Sequence, residues 1–154
     1  MLGGAGCSAI RSEGPLEIGA DSGAYCAPGD VGREVGFGDA GVLTGDAPAT
    51  IASVDLVDAD GLRLTEAYVA PLRQGQVGFG TFFPEDEDSE GWSNREDPAG
   101  YEVEPGEMVS VIVIAARTGA EGGTASMIRV IYEVQGVRYE AFTSTELTIT
   151  DSCL

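Results

Sequence analysis

The chain has 154 residues, enough for one domain with its own core, and 43% of them are apolar, which excludes a disordered polymer despite a net charge of −18. Its 26 acidic residues stand against eight basic ones, all arginine, with no lysine and no histidine. Those absences exclude histidine-based nucleophilic triads, imidazole metal sites, Schiff-base lysines and P-loop lysines within this chain. The acidity repels phosphate backbones, so nucleic acid is not an expected partner.

Net charge speaks to solubility rather than to fold, and abundant Ala, Gly, Asp, Glu and Arg without Lys is also what a high-GC codon bias or salt adaptation produces. The longest apolar run, Val109 to Ala116, is interrupted by Ser110 and is too short to span a bilayer.

Residues 1–24 are rich in Gly, Ala, Ser and acid and read as a flexible tether. Within them, Gly4-Ala5-Gly6-Cys7-Ser8 resembles the end of a bacterial lipoprotein signal, where small residues precede an acylated cysteine. It departs from that pattern at Gly4, where leucine is usual, and only Met1 and Leu2 stand where a hydrophobic region belongs. Cys7 is therefore read as a lipidation site, with a free thiol in a tail as the alternative. Setting Cys7 aside leaves Cys26 and Cys153 as a natural pair. A bridge between them closes nearly the whole domain into one loop, worth roughly 4–5 kcal/mol in the chain-entropy model. The alternative is two reduced cysteines in a cytoplasmic protein. No Cys-x-x-Cys occurs, so a redox motif or zinc site is not indicated.

From residue 31 onward, short apolar stretches alternate with turn residues and no segment sustains a 3.6-residue period, which is an all-β pattern. Residues 32–43 give the first of these strands. Their run Gly36-Phe37-Gly38-Asp39-Ala40-Gly41 lacks the strand-then-helix context of a nucleotide loop and is read as strand and turn glycine. Ala49 to Val57 and Leu62 to Leu72 flank Asp58-Ala59-Asp60-Gly61 and read as a hairpin. A shorter strand is expected over residues 76–83.

The sharpest local feature is the acidic loop 84–98, with Glu85, Asp86, Glu87, Asp88, Glu90, Glu96 and Asp97. As a calcium loop, Asp86, Asp88 and Glu90 alternate, Gly91 supplies the sharp turn, and Asn94 and Asp97 follow at the later ligand positions. Hard oxygen donors at this spacing suit Ca²⁺. Glu90 is longer and Asp97 shorter than usual there, no helices flank the loop, and charge runs are commonly just solvated. Without a cation, repulsion is expected to keep the loop mobile and extended. Trp92, the sole tryptophan, is either an exposed partner contact or a cap folded back on Phe82, Phe83 and Tyr101, gaining roughly 1.5–3 kcal/mol from burial.

Glu107 to Arg117 follows the Pro105-Gly106 turn and is apolar on both alternations, as in a central strand covered on both faces. Met127 to Val134 and Val137 to Thr143 flank Gln135-Gly136. A two-residue turn there pairs Val134 with Val137, Glu133 with Arg138, Tyr132 with Tyr139 and Val130 with Ala141. The inward phase continues through Leu147 and Ile149, as one long strand requires.

The sum is an immunoglobulin-like antiparallel β-sandwich of about seven or eight strands, with a tether over 1–24 and the sandwich domain over 25–154. The stretch TIASVDLVDADGLRLTEAYVAPL, the EPGE turn and the IRVIYEVQGVRYEAF hairpin resemble small secreted lipoproteins of high-GC Gram-positive bacteria. That resemblance carries no assigned activity. The expected function is a non-enzymatic, extracytoplasmic binding or structural module, lipid-anchored at the cell surface, without a cofactor. Its partner is an unknown protein or cell-envelope component, and it meets the membrane only through the lipid. The alternative is a calcium-dependent adhesion or assembly module using Asp86, Asp88, Glu90, Asn94 and Asp97. A hydrolase using carboxylates alone is a further reading, but among so many acids any pair can be found. The last is a subunit whose edge strands pair between chains.

Overall fold

The computed structural model describes residues 9–19, 23–73 and 79–154. Among them the strands are β1 (Leu16–Ile18), β2 (Gly23–Pro28), β3 (Val35–Leu43), β4 (Ala49–Val57), β5 (Leu62–Leu72), β6 (Thr81–Phe82), β7 (Glu102–Val103), β8 (Met108–Arg117), β9 (Gly123–Ala125), β10 (Met127–Val134), β11 (Val137–Phe142) and β12 (Thr145–Thr150). A 3-10 turn at Pro84–Asp86 and a one-turn helix α1 at Glu90–Ser93 interrupt them. Eight of these strands have six residues or more, in keeping with the sandwich read from the sequence; the others are two- or three-residue additions.

One sheet runs β1-β3-β8-β5, with β6 attached to β3, and the facing sheet runs β11-β10-β4-β7. A third, small sheet runs β2-β12-β9, in which β2 and β12 are parallel. The two large sheets form an immunoglobulin-like sandwich around one apolar core. Val109, Val111 and Val113 of β8 and Phe37 of β3 meet Ile51 of β4 and Ile128, Val130 and Tyr132 of β10 there. The opposite alternation of β8, Ile112 and Ile114, is buried in a second cluster on the outer face. The two-sided apolar strand thus lies in the centre of its sheet, as its sequence requires.

The β10–β11 hairpin has the expected register at all four pairs, Val134↔Val137, Glu133↔Arg138, Tyr132↔Tyr139 and Val130↔Ala141. Gln135 (φ 50°) and Gly136 (φ 78°) are both left-handed, the condition for a tight turn that matches strand twist.

Three expectations are corrected. The strands β4 and β5 have the expected bounds but do not form a hairpin. β4 pairs with β10 and β7, and β5 pairs with β8. The connection carries left-handed Asp58 and Gly61, and Asp60 bridges to Thr124. It spans the roughly 10 Å between packed sheets and so delivers the chain to the opposite layer. Likewise, the long strand expected from Val137 to Ile149 breaks after Phe142 and resumes as β12 in the small sheet. Thr143, Thr145, Leu147 and Ile149 stay buried across the break, because a strand can turn a sandwich corner without losing its alternation.

The third correction concerns the tether. Arg11 bridges to Tyr139, β1 pairs with β3, and Leu16 is 4% exposed in the main core. The strap from Arg11 to Ile18 therefore joins the edges of both large sheets. It crosses the stacked rings of Tyr132 and Tyr139 at Gly14, where a Cβ would lie 2.2 Å from the Tyr132 hydroxyl. That hydroxyl accepts the Leu16 N–H at 3.0 Å. A segment of Gly, Ser and acid gives no periodicity, yet one buried leucine and one close-approach glycine suffice to fix it. Replacing Leu16 with Ala should lower the unfolding free energy by about 2–5 kcal/mol in urea denaturation, where an unstructured tether predicts no change.

Candidate functional site

The outer face of the β1-β3-β8-β5 sheet offers Ile112 and Ile114 from β8 and Ala70 from β5. Beside them, β3 presents Gly36 and Gly38. Apolar surface of this kind is stabilised by cover, and the chain following β5 provides it. Phe82 lies on Gly36, where a Cβ would come within 2.3 Å of the ring, and Phe79 lies on Gly38, where a Cβ would come within 2.6 Å. The glycine run is thus strand glycine, as read from the sequence; its bare face admits the Phe82 ring at Gly36 and the Phe79 backbone and Cβ at Gly38.

Trp92 completes the cover. It is 9% exposed and sits edge-on to Phe82 (5.3 Å) and Tyr68 (5.5 Å). As an exposed partner contact, Trp92 is corrected: it belongs to the second core. The folded-back alternative holds for Phe82, whereas Phe83 and Tyr101 pack against the main core instead.

The acidic loop is also corrected, from mobile and extended to folded. The Ser89 hydroxyl accepts the Trp92 N–H at 3.3 Å and so caps α1. Arg95 lies 3.8 Å over the Trp92 ring and donates to the Trp92 carbonyl at 2.7 Å. Glu96 exchanges backbone bonds with Val69 at 2.8 and 2.9 Å. Apolar burial fixes the peptide while the carboxylates face outward: Asp86, Asp88, Glu90 and Asp97 are all exposed.

Those carboxylates do not gather. Glu90 pairs with Arg73 at 2.8 Å, Asn94 ends α1, and Asp97 accepts the Ala99 N–H at 3.0 Å. Among the described residues no group of three or more His, Cys, Asp or Glu side chains has the arrangement of a metal site. The calcium-loop spacing is present in sequence, but α1 and the Arg73 pairing separate its donors.

Of the other predicted residues, Cys26 and Cys153 form a disulfide, and both are exposed. Cys26 lies opposite Thr148 in the β2–β12 pair. Cys7 lies outside the described residues, as do residues 76–78 of the strand expected over 76–83.

Two clefts that the sequence reading missed flank β5 and share Glu66 and Tyr68. One, about 540 Å³, opens on the outer face between Arg33, Glu34, Glu66, Tyr68 and Arg95. The other, about 550 Å³, opens at the side of the sandwich between Val54, Leu64, Ala67 and Pro98. The Tyr68 hydroxyl donates to Glu66, and burial first, then Glu66, pushes the Tyr68 pKa up. The available signal was the spacing Glu66-x-Tyr68, which puts both on one face of a strand.

A separate buried acid lies on β3. Asp39 is 8% exposed; Tyr25 donates to its Oδ1 at 3.4 Å, and among the described residues Oδ2 has no hydrogen-bond partner within reach. Burial pushes its pKa above the ordinary 3.8, against hydrogen bonds from Tyr25 and Thr145.

No family model matches the chain, and no curated protein matches it. Among solved structures it is similar to the seventh PapD-like (ASH) domain of human CEP192, with TM-score 0.45 and 10% identity over 90% of this chain and 85% of that one. It is also similar to the VesB protease of Vibrio cholerae, with TM-score 0.44 and 9% identity over 88% of this chain and 32% of that one. The chain therefore spans about a third of the protease chain, and neither likeness bears on function.

Two outcomes are expected. Millimolar Ca²⁺ should leave the melting temperature unchanged against a chelator control, and Asp86→Ala with Asp88→Ala should not alter that result. For Asp39, the folded state keeps a proton that the unfolded chain releases near pH 3.8. Stability is therefore lost as pH rises from that value through the raised folded pKa, and the loss is complete above it. Asp39→Asn should be the more stable protein at about pH 7, with the gain vanishing near about pH 3, in urea denaturation at both values.

Proposed function

We propose that the chain is a non-enzymatic, extracytoplasmic binding or structural module, held at the outer face of a cell membrane by a lipid on Cys7. The observation that carries this reading is the Cys26–Cys153 disulfide. Both cysteines are exposed, and exposed cysteines of this kind stay paired in oxidising compartments and reduced in the cytosol. The bridge ties β2 to the chain end that follows β12, across a sequence separation of 127 residues.

The strap shortens the reach of such an anchor. Arg11 is already fixed to β11, so about four residues at roughly 3.3–3.6 Å each separate Cys7 from the sandwich. An acyl chain at Cys7 holds the domain close to the bilayer rather than at the end of a long leash. The acidic surface then keeps the remainder of the domain off an anionic headgroup layer. A binding role is supported by the two clefts beside β5, whose lining polar groups pair with one another. Arg33 meets Glu85 at 2.9 Å, and Tyr68 meets Glu66. Such a surface recognises a partner by shape and charge.

Intact mass of the protein isolated from the cells that make it tests the reading. The expected result is an acylated Cys7 and, on reduction, a gain of one proton on each of Cys26 and Cys153. An unmodified chain with all cysteines already reduced overturns it.

A further inference from the structure

We infer that the open edge of β5, from Leu64 to Ala67, docks an extended basic segment of a partner protein as an added strand. The inference rests on the binding-module reading above but not on the lipid anchor.

β5 is the last strand of its sheet, with β8 on one side. Among the described residues its other side is met at Val69, by Glu96; just before the strand, Asp60 is met by Thr124. Ladder groups alternate along a strand. Val69 exchanges both its backbone bonds outward with Glu96, so the Ala67 N–H and C=O also point outward. At the other end Gly61 bonds toward the β8 side, through Thr118, which turns Leu62 and Leu64 outward. The bulge between Leu64 and Glu66 reconciles the two phases, and the Thr65 hydroxyl donates back to the Ile114 carbonyl at 3.1 Å. Among the described residues the rungs at Leu64 and Ala67 are left open, beside the cleft that Leu64 to Tyr68 line, whereas Leu62 is buried against Gly123. The protein's own chain takes the neighbouring rung with Glu96 and then stops, because Pro98 has no N–H to continue a ladder.

The side chains of an added strand alternate between the two clefts. Those pointing inward meet Val54, Leu64, Ala67 and Pro98 in the side cleft, which fits small apolar groups. Those pointing outward meet Glu66, Glu34 and Tyr68 in the outer cleft. Arg33 is engaged with Glu85, and Arg95 is stacked on Trp92. Glu66 accepts the Tyr68 hydroxyl but is exposed and keeps its charge, so with Asp97 at the mouth of the side cleft it faces basic groups. Arg63 is exposed at the far end, so the partner's basic residues lie toward Glu66. The predicted partner pattern is an alternation of small apolar and basic residues. A second copy of this chain is the poorer occupant, since pairing β5 with β5 sets Glu66 of each chain against the same acidic cleft.

An acetylated, amidated hexapeptide alternating lysine and valine, titrated into the isotopically labelled, disulfide-intact protein, tests this by NMR. The expected result is a dissociation constant at or below about 1 mM, with shifts and slowed exchange confined to the amides of Leu64 and Ala67 and their neighbours. Glu66→Arg should weaken binding about tenfold or more, equivalent to about 1.4 kcal/mol. Ala67→Pro, which deletes an outward N–H, should abolish it; if that variant does not fold, a peptide N-methylated on its backbone replaces it and should not bind. Shifts mapping elsewhere, equal binding by a glutamate–valine peptide, or no binding up to about 1 mM overturns the proposal. So does dimerisation of the free protein through the same amides. None of these results touches the acylation and disulfide masses, so the two readings fail separately.

Discussion

The fold depends on a strand that is apolar on both of its faces. In β8, Val109, Val111 and Val113 face the main core while Ile112 and Ile114 face the other way. A two-layer sandwich covers only one of those faces. The other requires a third layer, and in this chain that layer is a flap built from the segment following β5. It approaches where β3 carries no side chain, with the Phe82 ring on Gly36 and the Phe79 backbone on Gly38, and Trp92 packs against both rings. Each large apolar group buried this way contributes about 1.5–3 kcal/mol. Such a gain outweighs exposed carboxylate repulsion, which water and salt screen.

The same constraint explains why the acidic loop is not what its charge pattern indicates. Acids at alternating positions resemble a ligand set only when the peptide is read as a free loop. Once Trp92 is drawn to Ile112 and Ile114, the helical turn α1 forms behind the Ser89 cap, and the acidic side chains radiate into solvent. Net charge of this size favours solubility. It does not by itself build a cation site.

Local features of the chain were legible in its sequence. The β10–β11 register follows from a two-residue turn and alternating side chains, both encoded within a few residues. The limits of β4 and β5 are likewise visible as apolar stretches between turns. Which strands become neighbours is not local. β4 and β5 each satisfy their apolar face against strands distant in sequence, and the turn residues Asp58 and Gly61 are equally at home in a hairpin or a crossing. The strap was hidden for a related reason. Leu16 is a single apolar residue in a polar segment, and the core it enters and the Tyr132 hydroxyl that accepts its N–H come from strands distant in sequence. The clefts beside β5 were hidden because Val54 and Pro98 reach them from other parts of the chain. The disulfide was legible because two cysteines bracketing a β-domain leave few alternatives once the third lies in the N-terminal segment.

Trp92 is the sole tryptophan, so its fluorescence reports on the flap alone. The measurement that tests the account most directly is Trp92 emission and acrylamide quenching in the native protein with a calcium chelator present. A buried Trp92 gives blue-shifted emission and weak quenching, both lost together with the β-sheet signal on unfolding. Water-like emission and full quenching in the native protein, with the sheet still intact, would contradict the claim that the acidic flap covers the outer face of β8.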